Sequence, residues 1–112
     1  MLSPQAVALV PSARDLVDVE RLAQVAAAVP GLTRATLYGS AVLGPWDPET
    51  SDVDVLVEGA QDAAQAFAGA ASGNGVPLGI VVDARHVGDL TFWHVRDIRR
   101  MGVVLYDGTG KG

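Results

Sequence analysis

Between Ser51 and Val57 the chain runs Ser-Asp-Val-Asp-Val-Leu-Val. That alternation belongs to a strand with one buried face: Val53, Val55 and Val57 point one way, Asp52, Asp54 and Leu56 the other. Asp is a poor strand former, and like charges on one face repel unless a positive group lies between them. Leu56 continues the acidic face into apolar surroundings, which places the carboxylates at the rim of something buried. Upstream, Leu37-Tyr38-Gly39-Ser40 ends another strand in a turn whose backbone N–H groups are suited to a phosphate. Hard oxygen donors beside a phosphate cradle suit Mg²⁺ carrying a nucleoside triphosphate.

The length of 112 residues allows one domain, residues 1–112. The 49% apolar content is largely Ala and Val with few aromatics, so a small-residue, close-packed core is expected. A formal net charge of −5 argues against a general nucleic-acid surface, and no direct nucleic-acid binding is expected. With no cysteine there is no disulfide framework or thiolate zinc site. No charged-then-apolar leader opens the sequence, and no apolar run nears the roughly 18 residues of a membrane span. A cytoplasmic protein without membrane contact is expected.

Periodicity places a helix over 15–29, with Leu16, Val19, Leu22, Ala23, Ala26 and Val29 on one face and Pro30-Gly31 ending it. Residues 1–14, interrupted by Pro4 and Pro11, read as a loose arm. Strands are predicted at 33–38 and 52–57, separated by a loop containing Gly44, Pro45 and Pro48. An Ala-rich helix follows over 60–71. The apolar run 78–83 predicts a third, central strand. A helix over 92–101, closed by Gly102, a short strand over 103–106 and a Gly-rich flexible tail over 107–112 complete the chain. The expected class is α/β: a small mixed β-sheet flanked by helices.

Gly-Ser, a short loop and Asp-x-Asp in an apolar strand resemble the pattern of the DNA polymerase beta-type nucleotidyltransferase superfamily. At this length the chain is similar to its minimal members, many of them encoded beside a helical HEPN-domain partner. The resemblance covers about Leu16 to Tyr106 and is sharpest from Gly39 to Val57. It implies a single-domain nucleotidyltransferase-like fold. It further implies Mg²⁺-dependent transfer of a nucleoside monophosphate, AMP from ATP foremost, to an acceptor hydroxyl. Gly39 and Ser40 would hold the β- and γ-phosphates. Asp52 and Asp54 would bind metal, and Asp83, on a neighbouring strand, would be third ligand and base. A different strand register would put Gly79 in the place of Asp83. The acceptor implied for HEPN-paired members lies on the partner protein, toward which the nucleotidyltransferase acts as antitoxin. Base preference and the choice between monomer and homo-oligomer are open.

Two features depart from the family pattern. The residues after Ser40, usually basic in alternation, are Ala41, Val42 and Leu43. Losing a guanidinium near a polyphosphate removes a charge-assisted donor, so phosphate affinity is weakened or moved to another residue. The loop to Asp52 is also about one residue longer than usual and carries Trp46, which either stacks on a base or plugs the loop against the core. The alternative function is therefore a nucleotide-binding module of little activity that occludes a partner. His94 shares a helical face with Leu90, Ile98 and Met101 and is expected as a core or rim histidine. His86 is a weaker candidate for a pocket mouth. Phe92 and Val95 are expected on the outer side. The tail Gly108-Thr109-Gly110-Lys111-Gly112 lacks the upstream Gly, the Ser or Thr and the helix of a P-loop.

Overall fold

Val53, Val55 and Val57 lie wholly buried on one face of their strand, and the sheet is organised around them. The structure is a computed structural model that describes residues 7–108. Helices α1 (Pro11–Arg14) and α2 (Val19–Ala28) precede strand β1 (Leu32–Tyr38). A single helical turn, α3 (Ser40–Leu43), and a loop lead to β2 (Val53–Gly59). Helix α4 (Ala63–Ala71) crosses to β3 (Val82–His86). A 3-10 turn (Val87–Asp89), helix α5 (Phe92–Met101) and β4 (Val103–Asp107) follow. The sheet order is β3-β2-β1-β4, with β1 antiparallel to β2 and β4 and β3 parallel to β2. This is the small mixed sheet flanked by helices that the sequence predicts.

Helix α2 starts where Asp18 accepts the Arg21 N–H at 3.0 Å, satisfying one of the free donors of the first turn. It buries Val19, Leu22, Val25 and Ala26 against the face carrying Leu37, Val55 and Leu105. Helix α4 buries Ala63, Ala64, Phe67 and Ala71 on the same side, over β2 and β3. Fully buried side chains such as Phe67 and Leu22 each contribute about 1.5–3 kcal/mol. The opposite face is covered by α5, whose Val95 and Ile98 pack on Leu56.

Four expectations need correction. The third strand begins later than 78 and is an edge, not a centre. Pro77 and the left-handed Gly79 (φ 96°) break the apolar run, leaving Leu78 81% and Val81 59% exposed. Pairing starts only where the Val53 N–H donates to the Val81 carbonyl. Residues 7–14 are no loose arm: Leu9 and Ala13 are in the core, and the Val10 N–H donates to the Ala41 carbonyl at 2.9 Å. Residues 1–6 lie outside the described region. At the other end Asp107 belongs to β4 and the Gly108 N–H reaches the Thr33 carbonyl, so neither is part of a free tail. Residues 109–112, most of the segment rejected as a P-loop, lie outside the described residues. Val95, finally, faces inward. Phe92 matches its expected outer position at 70% exposure.

Gly102 does not end α5 through a left-handed turn; its φ is −80°. It is needed for close approach. A Cβ there would lie 2.6 Å from Thr36 Cγ2, 2.7 Å from the Ile98 carbonyl and 2.8 Å from the Leu37 carbonyl. Two of these atoms are backbone and have no room to shift. Gly102→Ala is expected to destabilise the protein by about 2–3 kcal/mol, a fall in Tm of roughly 10 °C. A thermal melt unchanged from the parent would mean that α5 does not sit this close to β1.

Candidate active site

Strand pairing builds the site. Tyr38 on β1 is the register partner of Asp54 on β2, and Asp54 is the register partner of Asp83 on β3. Tyr38, Asp54 and Asp83 therefore form one row across three strands, with neighbouring strands about 4.8 Å apart. Asp52 shares the face of Asp54, two residues earlier. Gly79 lies in the turn before β3, so Asp83 and not Gly79 stands beside Asp54.

Gly39 follows Tyr38 with φ 79° and ψ −150°, a conformation open to glycine alone. A Cβ at this position would overlap the Asp54 carboxylate. Strand end and carboxylate are thus in direct contact, with no side chain between them. The Ser40 and Ala41 N–H groups at the start of α3 find no acceptor among the described residues, nor does Ser40 Oγ form a hydrogen bond there. Ser40 is one of the two residues, with Gly39, that the resemblance assigns to phosphate.

Asp54 is half-buried and makes no hydrogen bond or ion pair among the described residues. Burial first, then the Asp83 and Asp52 charges, push its carboxyl up to about 6. Arg85 and His94 pull weakly the other way. Burial also raises the Tyr38 hydroxyl, with Asp54 and Asp83 adding to it and Arg85 opposing. A half-buried carboxylate between two others, with no cation of its own, is the donor chemistry of a divalent-ion site. The residues fit Mg²⁺ in this respect. They do not form a closed cage: among the described residues no three His, Cys, Asp or Glu side chains are gathered to hold an ion. One physical reason is visible at Asp83, whose two oxygens take the Arg85 Nε and Nη2 at 3.0 and 3.3 Å.

Trp46 is buried in the core under the loop, and its Nε1 donates to the Asp52 carbonyl at 3.0 Å. It plugs the loop and leaves the space over Gly39 clear. A cleft of about 330 Å³ opens there between α3 and α5, lined by Tyr38, Gly39, Leu43, His94 and Met101 among others. A second concavity of about 400 Å³ follows the edge of the sheet past Asp83, Arg85 and His86. Neither is lined by Asp52 or Asp54; the row joins the two. His94 is an exposed rim residue with its ring edge-on to Tyr38 at 5.8 Å. His86 is held by the Gly59 carbonyl at 2.8 Å and the Gly88 N–H at 3.0 Å, at the margin of the second concavity.

Sequence reasoning assigns no role to Tyr38 or Arg85. Tyr38 carries a signal as the residue before Gly39. Arg85 carries one as the i+2 neighbour of Asp83, on the same strand face.

No curated protein matches the chain. The family model described as nucleotidyltransferase domain matches residues 20–105, from α2 through β4.

Proposed function

The chain belongs to the nucleotidyltransferase domain family, and on that premise we propose that it moves a nucleoside monophosphate, AMP from ATP foremost, to an acceptor hydroxyl with the help of Mg²⁺. The observation that carries this reading is Asp54. Its carboxylate is half-buried, unpaired among the described residues, in register with Asp83 and in contact with Gly39. A bound cation would favour the ionised carboxylate in that arrangement.

Asp52, Asp54 and Asp83 would hold the ion, which when bound offsets the charge gathering on the departing pyrophosphate. Gly39 and Ser40 present N–H and hydroxyl donors to the β- and γ-phosphates. The acceptor oxygen bonds to the α-phosphorus as the bond to the bridging oxygen breaks, and pyrophosphate leaves in line. The acceptor proton passes to a carboxylate of the row, with Asp83 at the open edge best placed. We further propose that the acceptor lies on a helical partner protein of the HEPN type, with this chain as its antitoxin. A second reading, an occluding module with nucleotide affinity and little turnover, is favoured by the Arg85–Asp83 pair, which occupies one of the three carboxylates.

Calorimetric titration of ATP and GTP, with and without Mg²⁺, tests the reading. Mg²⁺-dependent binding followed by transfer of labelled nucleotide to a co-purified partner supports the enzyme. Binding without transfer supports the occluding module. No binding in any condition removes the nucleotide site.

A further inference from the structure

The three residues after Ser40 carry no positive charge, yet a triphosphate among three carboxylates needs positive charge beyond backbone donors. Among the described residues, Arg85 is a permanently charged cation whose charge reaches Asp54. Arg85 leaves β3 two positions after Asp83, on the same face. It grips both oxygens of Asp83 with a two-pronged geometry, and a guanidinium offers the same fork to two phosphate oxygens. Its side chain is 54% exposed and bonds to no other acceptor among the described residues. Its charge is felt at Tyr38, two strands away beside Gly39. Arg85 is the register partner of Leu56, one strand spacing, about 4.8 Å, from the strand that carries Asp54.

We propose that Arg85 is the phosphate-binding cation of this site, held by Asp83 in the nucleotide-free protein and transferred to the β- or γ-phosphate of a bound nucleoside triphosphate. The proposal rests on the nucleotide site described above. It supplies from β3 the charge that the segment after Ser40 lacks. It also makes the ion pair a resting state: once Asp83 is engaged by a divalent cation, Arg85 loses its partner and is free to pair with a phosphate.

A double-mutant cycle on the full chain tests this, by titrating α,β-methylene ATP in Mg²⁺ and in EDTA. In Mg²⁺, Arg85→Ala is expected to weaken binding about tenfold or more, and Arg85→Lys to recover only part of it because a point charge does not replace the fork. In EDTA, Asp83→Asn is expected to bind the analogue several-fold more tightly than the parent, because Arg85 is freed. That gain disappears in the Arg85→Ala/Asp83→Asn protein. If Asp83→Asn acts only by removing negative charge, the gain persists without Arg85, and the proposal fails. Unchanged affinity of Arg85→Ala in Mg²⁺ also overturns it while leaving the nucleotide site standing. A parent protein that binds the analogue in neither buffer removes both. The exposed pair contributes little to folding, and circular dichroism of each variant checks that the fold is retained.

Discussion

Asp54→Asn is expected to bind ATP no better with Mg²⁺ than without it, to transfer nucleotide at least about 10²–10³-fold more slowly, and to be as stable as the parent at pH 7 or more so. These three outcomes follow from one environment. The carboxylate is wedged against Gly39 and faces Asp83 across the sheet. Asn keeps the shape, removes the charge, and so relieves a repulsion as it deletes a ligand. The stability part has a pH signature in metal-free protein. Burial and the neighbouring carboxylates raise Asp54 from 3.8 to about 6 in the folded state. The folded protein therefore holds a proton that the unfolded chain releases. The stabilisation from this is full below the unfolded value and is lost as pH rises through about 6. Because the group is half exposed, solvent screening limits the effect to about 1 kcal/mol. Urea midpoints at pH 4.5 and pH 7.5 in EDTA should separate parent and variant more at the higher pH, with the variant ahead. An unfolded Asp54→Asn protein, or a difference independent of pH, would contradict this account of the site.

What the sequence makes legible is what local pattern encodes. The alternation of β2 puts Asp52 and Asp54 on one face without reference to any other strand. Gly39 announces itself because few other residues end a strand before a polar turn in this way. Asp83 is a different case. Its continuously apolar run, 78–83, predicts a central strand, yet β3 starts at Val82 on the sheet edge. The order β3-β2-β1-β4 depends on a crossover and on where Pro77 and Gly79 interrupt pairing, neither of which is a periodic signal. Asp83 reaches the row through the parallel register with Asp54. Arg85 acquires meaning only from that register, as the pairing places it beside Leu56 on the face of the site. The phase of α5 differs by part of a turn from the one its periodicity predicts. Val95 and Ile98 meet Leu56, while His94 and Met101 rotate toward the cleft. A short helix with Phe92, Val95, Ile98 and Met101 all apolar offers more than one inward face, and the packing of Leu56 chooses between them.

Trp46→Ala is expected to cost about 3–5 kcal/mol, a large part of the roughly 5–15 kcal/mol that holds a domain together. The indole is 4% exposed and fills the core beneath its loop. The Trp46 carbonyl accepts the Ser12 hydroxyl at 2.7 Å, tying the loop to α1, and the indole Nε1 holds the Asp52 carbonyl. Trp46 thus fixes the backbone from which the first carboxylate projects. Trp46→Phe separates volume from hydrogen bonding: most of the space stays filled, and the Asp52 carbonyl loses its donor at a cost of about 1–3 kcal/mol. Its Mg²⁺-dependent ATP affinity should fall although no ligand has been changed. Fluorescence decides whether the loop ever lifts to stack Trp46 on a base. Trp93 is 63% exposed and would dominate quenching, so the measurement belongs in Trp93→Phe protein. Blue-shifted emission unmoved by ATP and Mg²⁺ is the expected result, since withdrawing the indole would open a cavity and leave the Asp52 carbonyl without its donor. Quenching by nucleotide in that protein would mean that the loop opens on binding, at a cost the base contact must exceed.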